Sequence, residues 1–105
     1  MIDAGFFLED GGLRVVISGH ANYSKGGGDI VCAAVSSIFF ALAGYLLNLK
    51  ESNSKLRRVE KGYAELTCNR LGEEAFRMAC IGILQISEQY PDCVKVHNGI
   101  WRSRF

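Results

Sequence analysis

IDAGFFLEDGGLRVVIS, residues Ile2 to Ser18, reads as a β-hairpin. Two β-like runs, Ile2 to Glu9 and Leu13 to Ser18, are joined by Asp10-Gly11-Gly12. A DG pair between such runs supplies the left-handed backbone that a tight hairpin needs. The pattern recurs downstream, where Leu56 to Glu60 and Tyr63 to Cys68 flank Lys61-Gly62. Between the hairpins the period changes. From Asp29 to about Leu49 the spacing predicts a helix, with Asp29 as N-cap and Ala, Leu, Phe and Ile in its body. Glu51-Ser52-Asn53-Ser54 is a polar break. Glu73 to Tyr90 predicts a second helix: Phe76, Ala79, Cys80, Ile83, Leu84 and Ile86 fall at helical spacing, and Pro91 ends it. Cys93 to Val96 adds a last strand. The order β-β-α-β-β-α-β implies an α+β two-layer sandwich, with two helices packed on one face of a mostly antiparallel sheet.

Composition narrows the possibilities. The chain has 105 residues, which fits one domain spanning 1–105, and no repeat or linker divides it. Hydrophobic residues make up 49% and charged ones 22%, with one proline, so a packed core is expected rather than disorder. A net charge near +1 excludes the dense basic surface of a general nucleic-acid binder, and no direct nucleic-acid contact is expected. The start, MIDAGFFLEDGG, lacks the basic and apolar regions of a secretory signal, which predicts a cytoplasmic protein with reduced thiols. Without secretion, the sequon Asn22-Tyr23-Ser24 carries no meaning. Cys32, Cys68, Cys80 and Cys93 contain no CxxC pair, so the common zinc and redox motifs are absent, and no metal or cofactor is expected. Ala33 to Leu49 is almost continuously apolar, as a membrane span would be. It sits at the short end of that range, carries Ser36, Ser37 and Asn48, and has no aromatic belt. Burial between the sheet and a second subunit fits it better, which predicts a homodimer and no membrane.

The chemistry concentrates between Ser18 and Ser36. Cys32 falls at about the third position of the first helix, where the partial positive charge of the helix N-terminus favours a thiolate. The same N–H groups can hold an oxyanion. His20 ends a strand twelve residues earlier, and the loop between is long enough to bring imidazole and thiol together. A Cys–His pair suffices for thiol attack, the imidazole taking the proton and returning it to the leaving amine. Asp29, Cys32 and Ser36 stand at i, i+3 and i+7, on one helix face. Asp29 can cap the helix or orient His20, and capping is the better fit to its position. The run Gly26-Gly27-Gly28 invites a phosphate-loop reading, but Gly28-Asp29-Ile30 stands where a Walker motif needs Gly-Lys-Ser/Thr. The glycines read instead as a mobile lid.

Gly19-His20-Ala21, the glycine-rich loop and Asp29-Ile30-Val31-Cys32-Ala33-Ala34-Val35-Ser36 together resemble the ribosomal-processing cysteine protease family, Prp. The order of elements and YPDCVKV, residues Tyr90 to Val96, extend the resemblance along the chain. It implies a bacterial cytoplasmic cysteine endopeptidase that removes a short N-terminal extension from the twenty-seventh large-subunit ribosomal protein. It further implies Cys32 as nucleophile, His20 as general base, and supporting roles for Asp29 and Ser36. Asn22, Tyr23, Ser24, Lys25, Gly26, Gly27 and Gly28 would contact the substrate. Family members are typically dimeric, and their substrates carry hydrophobic and aromatic residues before the cut, implying an apolar groove beside Cys32.

Two other classes stand beside this one. The cluster Lys55, Arg57, Arg58 and Lys61 could serve a non-enzymatic ribosome-associated binding module, although such runs are usually solvated faces. A membrane-embedded helix protein is the other. His97 has no partner in view from the sequence, and the end at Trp101 to Phe105 reads as a partner contact or a loose terminus.

Overall fold

The structure is a computed structural model that describes residues 1–20 and 29–101. Its elements are β1 (Ile2–Glu9), β2 (Gly12–Gly19), α1 (Ile30–Asn48), β3 (Lys55–Glu60), β4 (Tyr63–Cys68), α2 (Glu73–Gln89) and β5 (Val94–Gly99). This is the predicted α+β order. The sheet runs β3-β4-β2-β1-β5, and every neighbouring pair is antiparallel except β1 with β5.

The first hairpin is tighter than the sequence suggests. Asp10 and Gly11 have φ of 49° and 77°, as a two-residue type I′ turn requires, and Gly12 already pairs with Glu9. From there the register places Phe6 opposite Val15, and Val15 opposite Leu66, so their side chains form one row. Alternation then puts Ile2, Ala4, Phe6, Leu13, Val15, Leu66 and Val94 in the core, each at most 2% exposed.

α1 contributes Val31, Val35, Phe39, Leu42, Ala43 and Leu46, a stripe at helical spacing. Its other faces are apolar as well: Ile30, Phe40, Tyr45 and Leu47 are exposed. The helix is long and apolar enough to cross a membrane, with a mean hydropathy of 2.3, and 33% of that stretch is buried inside the fold. At its end the fully buried Ser52 hydroxyl is shared between the carbonyls of Leu46 (2.9 Å) and Leu49 (2.7 Å), groups a helix terminus leaves unsatisfied. α2 buries Phe76, Ala79, Cys80 and Ile83, and the Phe76 ring meets Phe6 edge-on with centroids 6.2 Å apart.

The C-terminal part departs from expectation. β5 begins at Val94 and continues to Gly99, three residues beyond Val96. It is an edge strand whose His97, Asn98 and Gly99 are exposed, so no apolar alternation announces the part beyond Val96. His97 does have a partner, since its Nε2 lies 3.1 Å from Asp3 Oδ1 across the parallel pair. Trp101 is half-buried and packs against Phe6, with centroids 6.4 Å apart, rather than trailing into solvent.

Candidate active site

Asp29 caps α1. Its Oδ1 accepts the backbone N–H of Val31 at 2.9 Å and of Cys32 at 3.0 Å. Cys32 is therefore the third residue of the helix, half-buried against the core edge. The cap also revises one expectation. The Val31 and Cys32 N–H groups, which a developing oxyanion would draw on, are already given to the Asp29 carboxylate. Ser36 is exposed one turn further along the same face.

His20 follows β2 and is exposed. Gly19 before it has φ of 91°, and a β-carbon there would stand 2.2 Å from the Met1 carbonyl oxygen. Only glycine lets the two chains pass this closely, which gives the Gly-His pair a structural cause. The Gly19 N–H donates to the Gly62 carbonyl at 2.9 Å, tying the exit of β2 to the turn between β3 and β4.

The C-terminal end of α1 abuts the far end of β4: Leu46 and Cys68 both border Gly72, and the Asn69 N–H donates to the Ser52 carbonyl. β2 releases His20 at the opposite end of β4, where Ser18 pairs with Tyr63. Asp29, Cys32 and Ser36 lie on the first two turns of α1, and His20 lies at the exit of β2. The loop from Asn22 to Gly28, expected as lid and substrate contact, lies outside the described residues.

The other cysteines have a different character. Cys68 and Cys80 are buried, and burial pushes each thiol up to about 11, which keeps them protonated and inert near neutrality. Among the described residues no group of three or more His, Cys, Asp or Glu side chains could hold a metal ion. The basic cluster is partly neutralised where it stands: Arg58 pairs with Glu60 at 2.9 Å and lies over the Tyr63 ring, and Arg57 donates to Thr67.

An apolar groove of about 560 Å³ runs between α1 and α2, lined chiefly by Ile38, Leu42, Tyr45, Leu71, Ala75 and Met78. It begins beyond Cys32 and includes neither site residue, so it is not the groove beside the thiol that was expected. Sequence reasoning took Gly62 only as a turn residue. Its contact with His20 joins two hairpins that no local pattern connects.

The fold is that of known ribosomal-processing proteases. The structure of the Staphylococcus aureus ribosomal processing protease Prp with a covalently linked product peptide superposes with a TM-score of 0.80 at 21% identity, covering 93% of this chain and 99% of that one. The same S. aureus enzyme in complex with a substrate peptide gives 0.76 at 20% identity, with the same coverage of both chains. SMU.848 from Streptococcus mutans gives 0.71 at 27% identity, covering 94% of each chain. No curated protein sequence matches the chain. The family model described as cysteine protease Prp matches residues 1–95, and the chain belongs to that family of cysteine proteases.

Proposed function

We propose that the chain is a single-domain endopeptidase that removes an N-terminal extension from a bacterial large-subunit ribosomal protein, the twenty-seventh, in the cytoplasm. The observation that carries this reading is the family match over residues 1–95 together with a capped cysteine on the first turn of α1 and an exposed histidine at the exit of β2. The S. aureus relative is a ribosomal processing protease seen with substrate and product peptides, which supports a peptide substrate of this kind.

In this mechanism His20 takes the proton of Cys32, and the sulfur attacks the scissile carbonyl carbon. The C–N bond then breaks while the imidazolium returns its proton to the leaving amine, and a thioester remains on Cys32. Water, deprotonated by His20, attacks the thioester, the C–S bond breaks, and the thiol is restored. Asp29 holds the helix start that carries Cys32. The oxyanion can use the Val31 and Cys32 N–H groups only as the Asp29 carboxylate yields them, so Asp29 and the intermediate compete for the same donors. Ser36 is the hydroxyl on the same face. The exposed apolar face of α1 and α2, with Phe40, Tyr45, Leu71 and Met78, is read as the contact with a second copy of the chain.

The test is cleavage of a synthetic peptide spanning the ribosomal extension by wild type, Cys32→Ser and His20→Ala, with fold checked by circular dichroism. Cleavage at one bond, lost in both folded variants, is the expected result. Folded wild type that leaves the peptide intact from about pH 6 to 9, where a perturbed thiolate should form, would overturn the substrate assignment.

A further inference from the structure

The His20 imidazole rests on Gly62. A β-carbon at position 62 would stand 2.8 Å from His20 Nε2, 3.3 Å from Cε1 and 3.5 Å from Cδ2. The same residue accepts the Gly19 N–H at 2.9 Å, so its carbonyl fixes the backbone just before the histidine while its bare α-carbon receives the ring. Both contacts come from a turn more than 40 residues away in sequence.

The geometry points to Gly62 as a positioning residue for His20: the turn between β3 and β4 is the platform that sets where the imidazole stands. This inference rests on the reading of His20 as the general base. The backbone at 62 also has φ of 78°, so glycine is favoured there for conformational reasons too, and the two causes must be separated. The fold supplies the control. Gly11, the second residue of the two-residue turn at the other end of the sheet, has φ of 77° and nothing within 4 Å of where its β-carbon would be. A side chain at 11 strains the backbone alone. A side chain at 62 adds the same strain and collides with an exposed ring, so the collision is relieved by turning the imidazole to another rotamer rather than by unfolding the turn.

The experiment compares wild type, Gly62→Ala, Gly11→Ala and His20→Ala. One readout is the rate of iodoacetamide alkylation at Cys32, resolved from the other cysteines by mass spectrometry, from about pH 5 to 9, a range spanning the reference imidazole and thiol values of free side chains. The other is kcat and KM for peptide cleavage. Gly62→Ala is expected to move the alkylation profile toward that of His20→Ala and to lower kcat by up to about 10²-fold, the scale of a displacement near 1 Å. KM should change little, and Gly11→Ala should match wild type in both readouts. Equal behaviour of the Gly62 and Gly11 variants would overturn the proposal, since only turn strain would then be at stake. A His20→Ala profile identical to wild type would overturn the base assignment itself and the platform with it. Should Gly62→Ala fail to fold, Gly62→Asn and Gly11→Asn repeat the comparison, because asparagine tolerates the left-handed region while still carrying a β-carbon.

Discussion

The carboxylate of Asp29 accepts the backbone N–H of Cys32 at 3.0 Å, and that of Val31 at 2.9 Å. One side chain thus both starts α1 and stands beside the thiol. Asp29→Ala is expected to destabilise the fold by about 1 kcal/mol, and Asp29→Asn by much less, since asparagine caps as well as aspartate. Urea denaturation of the three proteins measures this. An alanine variant as stable as wild type would show that the cap bonds add nothing to water's alternative.

Alkaline stability should report the two buried thiols. Burial raises Cys68 and Cys80 from 9.0 to about 11 in the folded state. Well below the unfolded value of 9.0 both are protonated whether folded or not, and their contribution is fully present. As pH rises toward 11 the unfolded chain releases these protons first, binds fewer than the folded chain, and stability falls. Cys80→Ala lowers stability by leaving a small cavity, but its urea midpoint should decline less steeply between pH 8.5 and 10.5, the window set by the 9.0 and 11 limits. An unchanged slope would mean that Cys80 does not titrate late.

Core and surface positions on one helix should separate sharply. Phe76 is 0% exposed and meets Phe6 edge-on, whereas Met78, two residues later, is 73% exposed. Phe76→Ala is expected to cost about 3–5 kcal/mol, and Met78→Ala less than about 0.5 kcal/mol. Comparable losses in chemical denaturation would contradict this packing of α2.

The apolar outer face gives a test of assembly. Tyr45 and Met78 both line the groove between α1 and α2 and are 62% and 73% exposed. The double variant Tyr45→Glu with Met78→Glu places two charges on that face without entering the core. Sedimentation should give a dimer for wild type and a monomer for the variant. Wild type that stays monomeric at high micromolar concentration would rule out this face as the contact between copies.

Local patterns carried much of the architecture. The DG and KG turns, the two changes of period and the Asp29 cap are encoded within a few residues, because turns, pleats and helix ends depend on near neighbours. β5 escaped in part because an exposed edge strand needs no apolar alternation, and its pairing with β1 is a contact between the two ends of the chain. The partners of His97 and Trp101 are also long-range, Asp3 in one case and Phe6 in the other.

The site divides along the same line. From the sequence came the proposal of Cys32 and His20 as the reacting pair, through the family resemblance, and the helix start and the capping role of Asp29, which follow from residue type and short spacing. Only the tertiary structure could show that an apolar groove runs between α1 and α2, and that the His20 imidazole rests on Gly62. The reason is physical: a groove between helices and a ring resting on a distant turn exist only after elements far apart in the chain have packed.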